Sequence, residues 1–207
     1  MSAPVQTIDC RGTAREMGRQ YGEQTRDSIR RNLAVFVDPL WNPDEGARFA
    51  AAARCVLRDR TPNIFDELVG LAEGADAPME KIIALNQVDT FGPEWTEECT
   101  PTALAGGADG PIMGKNNDGS RPTPFAGPGA ERDYVVRRCF PASGIPLLQV
   151  TYAGWLSGLD ALNAEGLANG HASVGSIFDK SGPRLDIRLQ AYHLMTRCRS
   201  TSAFIAG

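Results

Sequence analysis

The sequence predicts an α+β fold with helices first and strands later. Up to about residue 85, apolar residues recur at helical spacing behind recognisable caps. From Thr100 onward the pattern shortens to strand-length runs separated by GGADG, PASGIP and NAEG, all strong turn signals. With 207 residues, 42% of them hydrophobic, the chain is long and apolar enough for one domain with a real core.

The first element is a short strand at Val5–Cys10. Thr13 and Glu16 then form a capping box, a hydroxyl cap with a glutamate three residues on. The helix behind it carries Met17, Tyr21, Ile29, Leu33 and Phe36 on one side, and Pro39 ends it. Gly18 and Gly22 lie one turn apart on this helix. Glycine costs about 1 kcal/mol against alanine there, so two on one face point to close approach of another element. Asn42-Pro43 opens a second helix running to about Arg58. A third covers Asn63–Glu73 and stops at Gly74, and a short fourth spans Met79–Leu85.

The strands are read as a meander of hairpins. Thr100–Ala105 pairs with Pro111–Asn116, Asp133–Phe140 with Leu147–Tyr152, and Trp155–Leu162 with Leu167–Val174. A helical pattern returns at Arg184–Arg199.

Composition removes several classes of function. A net charge of −4 argues against nucleic acid, whose phosphates need a basic patch. Arg26, Arg30 and Arg31 read as a solvated helix face. The five cysteines are odd in number and widely spaced, so neither a disulfide framework nor a zinc site is expected. That spacing, an N-terminus without a signal-peptide pattern and the lack of any apolar run near 20 residues together predict a soluble, cytoplasmic protein off the membrane. Gly114-Lys115 fails the phosphate-loop spacing, and Ser157 fails the serine-elbow spacing. No metal or other cofactor is expected.

The stretch that carries chemistry is residues 97–118, EECTPTALAGGADGPIMGKNND. A cysteine such as Cys99 is most often a small buried hydrophobe, and it can also be a nucleophile. If GGADG is a hairpin tip with Ala105 facing Pro111, pairing down the ladder sets Cys99 opposite Asn117, with Asp118 next. A carboxylate alone disfavours a thiolate, so a base is needed. His193 lies in a helical pattern and His171 on a strand, which leaves a Cys99–His171 dyad conceivable without local support. The other base is the cysteine's own α-amine, freed by cutting the bond before it. Such an amine has a pKa of about 7.7–8.0 and is already in place.

Four stretches in order resemble the acyl-coenzyme A:6-aminopenicillanic acid acyltransferase (isopenicillin N acyltransferase) family of cysteine peptidases. They are CRGTAREMGRQYGEQTRDSI, ELVGLAEGADAPMEKIIALN, ECTPTAL with GKNND, and LNAEGLANGHAS. The resemblance implies an N-terminal nucleophile hydrolase fold, a four-layer αββα sandwich, here incomplete at its C-terminal side. It implies one domain, with 1–98 as a helical pro-segment and 99–207 as the start of the nucleophile-bearing sheets. It implies self-cleavage at Glu98–Cys99, then an acyl-enzyme on Cys99 formed from a small-molecule amide, peptide or acyl-thioester. Asp118 matches the family's Asn-x-Asp aspartate and would orient the new amine. Lys115 falls where related bile-salt and penicillin V amidases carry arginine, and would assist proton handling or hold a substrate carboxylate. Asn169 lies in a stretch like the family's asparagine-bearing strand near the pocket. Asn117 would line the same place, and Thr100 would support the nucleophile. Family precursors are longer than this chain, so the alternative is a truncated, inactive fragment or binding protein of the same fold.

Overall fold

A computed structural model describes residues 5–87, 99–107, 110–117, 133–156, 160–172 and 185–207. Its helical half follows the caps. Strand β1 (Gln6–Gly12) leads into helix α1 (Ala14–Phe36), where Thr13 Oγ1 accepts the Glu16 N–H and the Glu16 carboxylate accepts the Thr13 N–H. The helix bends at Thr25, whose hydroxyl donates back to the Tyr21 carbonyl at 2.8 Å. A single 3-10 turn (Asp38–Leu40) holds Pro39. Helix α2 (Pro43–Arg60) is capped by Asn42, and α3 (Pro62–Ala75) and α4 (Met79–Asn86) follow.

The paired glycines explain how α1 and α3 meet. A Cβ on Gly18 would lie 2.0 Å from the Glu67 carbonyl oxygen, and one on Gly22 would lie 2.4 Å from the Ala75 nitrogen. Helix α3 answers in kind, because a Cβ on Gly70 or Gly74 would strike the carbonyls of Arg15 or Arg19 at 2.0 and 2.1 Å. Gly74 therefore does not stop α3. It lies inside the helix, and Asp76, in the left-handed conformation with φ 53°, forms the cap.

The strands form two sheets. Strands β4 (Tyr134–Pro141), β5 (Leu147–Tyr152), β6 (Asp160–Asn163) and β7 (Ala168–Gly170) make an antiparallel meander, and β1 joins it parallel to β4, giving the order β1-β4-β5-β6-β7. Strands β2 (Cys99–Gly107) and β3 (Gly110–Asn117) form a separate hairpin. Trp155 is not in a strand. It sits in the turn after β5, 2% exposed, and Val174 lies outside the described residues. That turn is pinned by helix side chains. Tyr21 Oη accepts the Gly154 N–H at 2.9 Å, Asn32 donates to the Ala153 carbonyl, and Asn86 bonds both Gly154 and Leu156.

One face of the five-stranded sheet packs on the helices through Ile8, Cys10, Val135, Cys139, Leu147 and Ala161. The same face buries Arg137, which pairs with Glu67 of α3 and donates to Gln149 at 3.2 Å, while the Tyr192 hydroxyl donates to Glu67 at 2.9 Å. The opposite face carries the Asp9–Arg138 ion pair and the partly exposed Leu148, Val150 and Leu162.

Within the expected Arg184–Arg199 span, of which Arg184 lies outside the described residues, helix α5 covers Ile187–Met195 and stops short, and a further helix, α6 (Thr201–Ala206), follows beyond it. Asn163 explains the break. Its amide takes the carbonyls of Met195 and Cys198 at 3.0 and 2.9 Å, while its oxygen accepts the N–H groups of Glu165 and Leu167. The NAEG turn thus anchors the last helices to the sheet. The chain is α+β as the sequence predicts, and no described helix is long and apolar enough to cross a membrane.

Candidate functional site

Cys99 is the first residue of β2, half-buried, with Asn117 of β3 as its Cα partner. The ladder runs Thr100–Asn116, Pro101–Lys115, Thr102–Gly114, Ala103–Met113 and Leu104–Ile112, which is the predicted register. It slips by one beyond Leu104, so that Gly107 meets Gly110, and Ala105 and Pro111 fall in the irregular stretch. Gly106 and Gly110, with φ of 82° and 93°, supply the left-handed backbone that this tight end requires. Glu98 and Asp118 lie outside the described residues; in sequence they precede Cys99 and follow Asn117.

Opposed residues in an antiparallel pair point to the same side, and alternate residues to opposite sides. Cys99, Pro101, Met113 and Lys115 therefore share a face. That face lies over β6 and β7. A Cβ on Gly170 would contact Met113 Sδ at 3.5 Å, and Pro101 Cβ and Asp160 Oδ1 at 3.6 Å. The other face of the hairpin carries Leu104 and Ile112, 63% and 59% exposed.

Lys115 does not point outward. Its side chain is 2% exposed, and Nζ lies 3.8 Å from Asp160 Oδ1, with no hydrogen bond to either atom among the described residues. Burial raises the Asp160 carboxyl above its ordinary value, and the Lys115 charge opposes that shift. His171 follows β7 directly. Burial, then the charges of Arg188 and Lys115, push its imidazole down to about 4 against the pull of Asp186. Arg188 and Asp186 form a buried bidentate pair at 2.9 and 3.1 Å, with the guanidinium over the Trp155 ring.

These values bear on the base. An imidazole depressed to about 4 is neutral at pH 7 and is a poor acceptor for a thiol proton, which weakens a Cys99–His171 dyad. His193 lies on α5 and is also lowered, by burial and Arg197. The other thiols differ from Cys99 in setting. Burial raises Cys10, and it pushes Cys139 up to about 12, so both are inert core residues. None of the five cysteines is in a disulfide.

Asn169 pairs with Ala161 and so faces the helices with it, while Asp160 and Gly170 face the hairpin. The register therefore does not bring Asn169 to the Cys99 face. Asp160, read from sequence only as one residue of a strand, does reach it. No sequence signal marks it, because its partner is 45 residues back on another sheet. Among the described residues no three of His, Cys, Asp and Glu cluster closely enough to hold a metal ion. No protein-family model matches the chain.

Proposed function

We propose that this chain is an autoprocessing cysteine amidohydrolase or acyltransferase of the N-terminal nucleophile type. The observation that carries the reading is Cys99 heading β2 in register with Asn117, on the hairpin face that bears the buried Lys115. The layering supports it in part. Helices cover one face of a mixed sheet, and a second sheet begins over the other, as in an αββα sandwich.

In this reading the Cys99 thiol attacks the Glu98 carbonyl. The peptide C–N bond breaks, the leaving amine takes the proton, and a thioester remains. Water then opens the thioester, giving the Glu98 carboxylate and a Cys99 with free thiol and free α-amine. That amine is the base for the next cycle. The thiol attacks an amide, peptide or acyl-thioester carbonyl, the leaving amine or thiol departs protonated, and water or a second amine takes the acyl group. Asp118 orients the α-amine, and Lys115 places a cation beside the reacting centre. Asn117 pairs with Cys99 across the ladder, Thr100 adjoins it through the backbone, and Asn169, which faces the helices, takes no part. Small acyl compounds are the partners, and no cofactor enters the cycle.

The second reading is a non-catalytic protein of the same fold. Exposed Leu104 and Ile112 on the outer hairpin face, and partly exposed Leu148, Val150 and Leu162 on the sheet, favour it, since a complete sandwich covers such surface. Two measurements separate the readings. Intact-mass analysis of folded protein is expected to show a break at Glu98–Cys99 that Cys99→Ala abolishes. Turnover of a panel of acyl amides and thioesters is expected to fall at least 1,000-fold in Cys99→Ala. Equal product release by both proteins ends the nucleophile reading.

A further inference from the structure

Three buried polar atoms with no hydrogen bond among the described residues gather where the hairpin crosses β6 and β7: Lys115 Nζ, Asp160 Oδ1 and His171 Nδ1. Buried polar atoms are nearly always satisfied, and exceptions mark strain or function. The apolar contacts of Pro101 and Met113 on Gly170 would seat the hairpin without any charge there. A lysine and an aspartate are instead held 3.8 Å apart, beyond hydrogen-bond reach, with the lysine side chain 98% buried. Burying such a pair costs stability.

The ladder shows what the pair faces. Cys99 pairs with Asn117 and Lys115 with Pro101, so Cys99 and Lys115 are diagonal neighbours on one face, about 7–8 Å apart. Asp160 comes up from the other sheet at the strand position that pairs with Gly170, beside Pro101 and Met113 of the hairpin. Arg188 and Asp186 neutralise each other, and His171 is uncharged at pH 7. Lys115 and Asp160 are thus charges that the described residues bring to the Cys99 face.

We propose that Asp160 is a positioning residue of the candidate site, holding the Lys115 ammonium on the Cys99 face from the opposite sheet and cancelling its charge there. This rests on the reading of Cys99 as the reacting group. Asp160 touches no reacting atom itself. It fixes where the cation points and how much positive potential the thiol feels.

Thiol reactivity reads this without any substrate. The full chain is treated with iodoacetamide at pH 7, and the alkylation rate of Cys99 is followed by peptide mass spectrometry against exposed Cys55 as internal reference. Asp160→Asn leaves the cation uncancelled and is expected to speed Cys99 about 3- to 10-fold relative to Cys55. Lys115→Met leaves the anion and slows Cys99 by a similar factor. Asp160→Glu keeps the charge and stays within about twofold of wild type, as does the double variant Asp160→Asn/Lys115→Met. A merely structural role would move both single variants the same way. That result overturns the proposal, as does an unchanged Cys99/Cys55 ratio. If Asp160→Asn loosens the fold, which alkylation of buried Cys10 or Cys139 would reveal, Lys115→Met alone decides, and a rate not below wild type overturns the proposal. Turnover that survives Cys99→Ala would sink the nucleophile while leaving this ratio intact, so the two failures are separable.

Discussion

Arg137 and Lys115 are both buried cations that face a carboxylate across a layer boundary, and their surroundings have little in common. Arg137 lies between the sheet and α3, fully buried, with Glu67, Gln149 and the Tyr21 ring around it, and Tyr192 completes the Glu67 carboxylate. Lys115 lies between the two sheets, its ammonium 3.8 Å from the partly exposed Asp160 carboxylate and, among the described residues, without a hydrogen bond. A planar guanidinium suits a fixed, many-bonded place, whereas an ammonium on a flexible stem suits one that must respond. Burial alone does not identify a structural ion pair: Arg137 is bonded through two of its three guanidinium nitrogens, with Nε unpaired, whereas the Lys115 ammonium makes no hydrogen bond among the described residues.

The contrast breaks first at Arg137. Glu67→Gln leaves a buried guanidinium without its counter-charge, and urea unfolding is expected to show a loss of about 3–5 kcal/mol. The same pair can be reached through the backbone. Gly18→Ala drives a methyl into the Glu67 carbonyl, so α1 and α3 must part, at an expected cost of about 1–3 kcal/mol in thermal denaturation.

At the inter-sheet site the lever is pH. His171 has a folded pKa of about 4 against an ordinary 6.5, so below pH 6.5 the unfolded chain binds a proton that the folded chain refuses. Stability contributed by the neutral ring is present above pH 6.5 and is lost as pH falls to about 4. The expected loss is on the order of 1–2 kcal/mol, reduced from the full shift because the ring is partly exposed. His171→Gln is expected to flatten that part of the stability–pH curve. The smallest effect is expected from replacing the unsatisfied pair. Lys115→Met with Asp160→Asn changes unfolding free energy by less than about 1 kcal/mol, because no hydrogen bond is lost. A loss as large as that of Glu67→Gln would erase the distinction between the two pairs.

Local chemistry was legible in the sequence. Thr13 and Glu16, Asn42 with Pro43, and the GGADG turn announce their elements because a cap or a turn involves neighbours in the chain. Gly18 and Gly22 showed that something approaches α1. That it is α3, through Gly70 and Gly74, did not show, because two glycine faces carry no mark of their partnership. The register of Cys99 on Asn117 followed from counting back from the turn. Asp160 and the inward course of Lys115 did not follow, since both depend on how one sheet lies over another. The end of α5 was hidden for a like reason, because it is set by Asn163, a turn residue of the sheet.

The parallel pairing of β1 with β4 has a consequence for how the chain is made. Gln6–Gly12 leaves the ribosome early, and its neighbour Tyr134–Pro141 follows only after the helices and the candidate hairpin. Helices α1 to α4 are complete in sequence before β4 is made, while the first strand waits unpaired. Closing so long a loop is slow, and an unpaired strand edge is exposed to aggregation meanwhile. Nascent chains released before Pro141 are therefore expected to hold a formed helical cluster and a sticky amino-terminal strand.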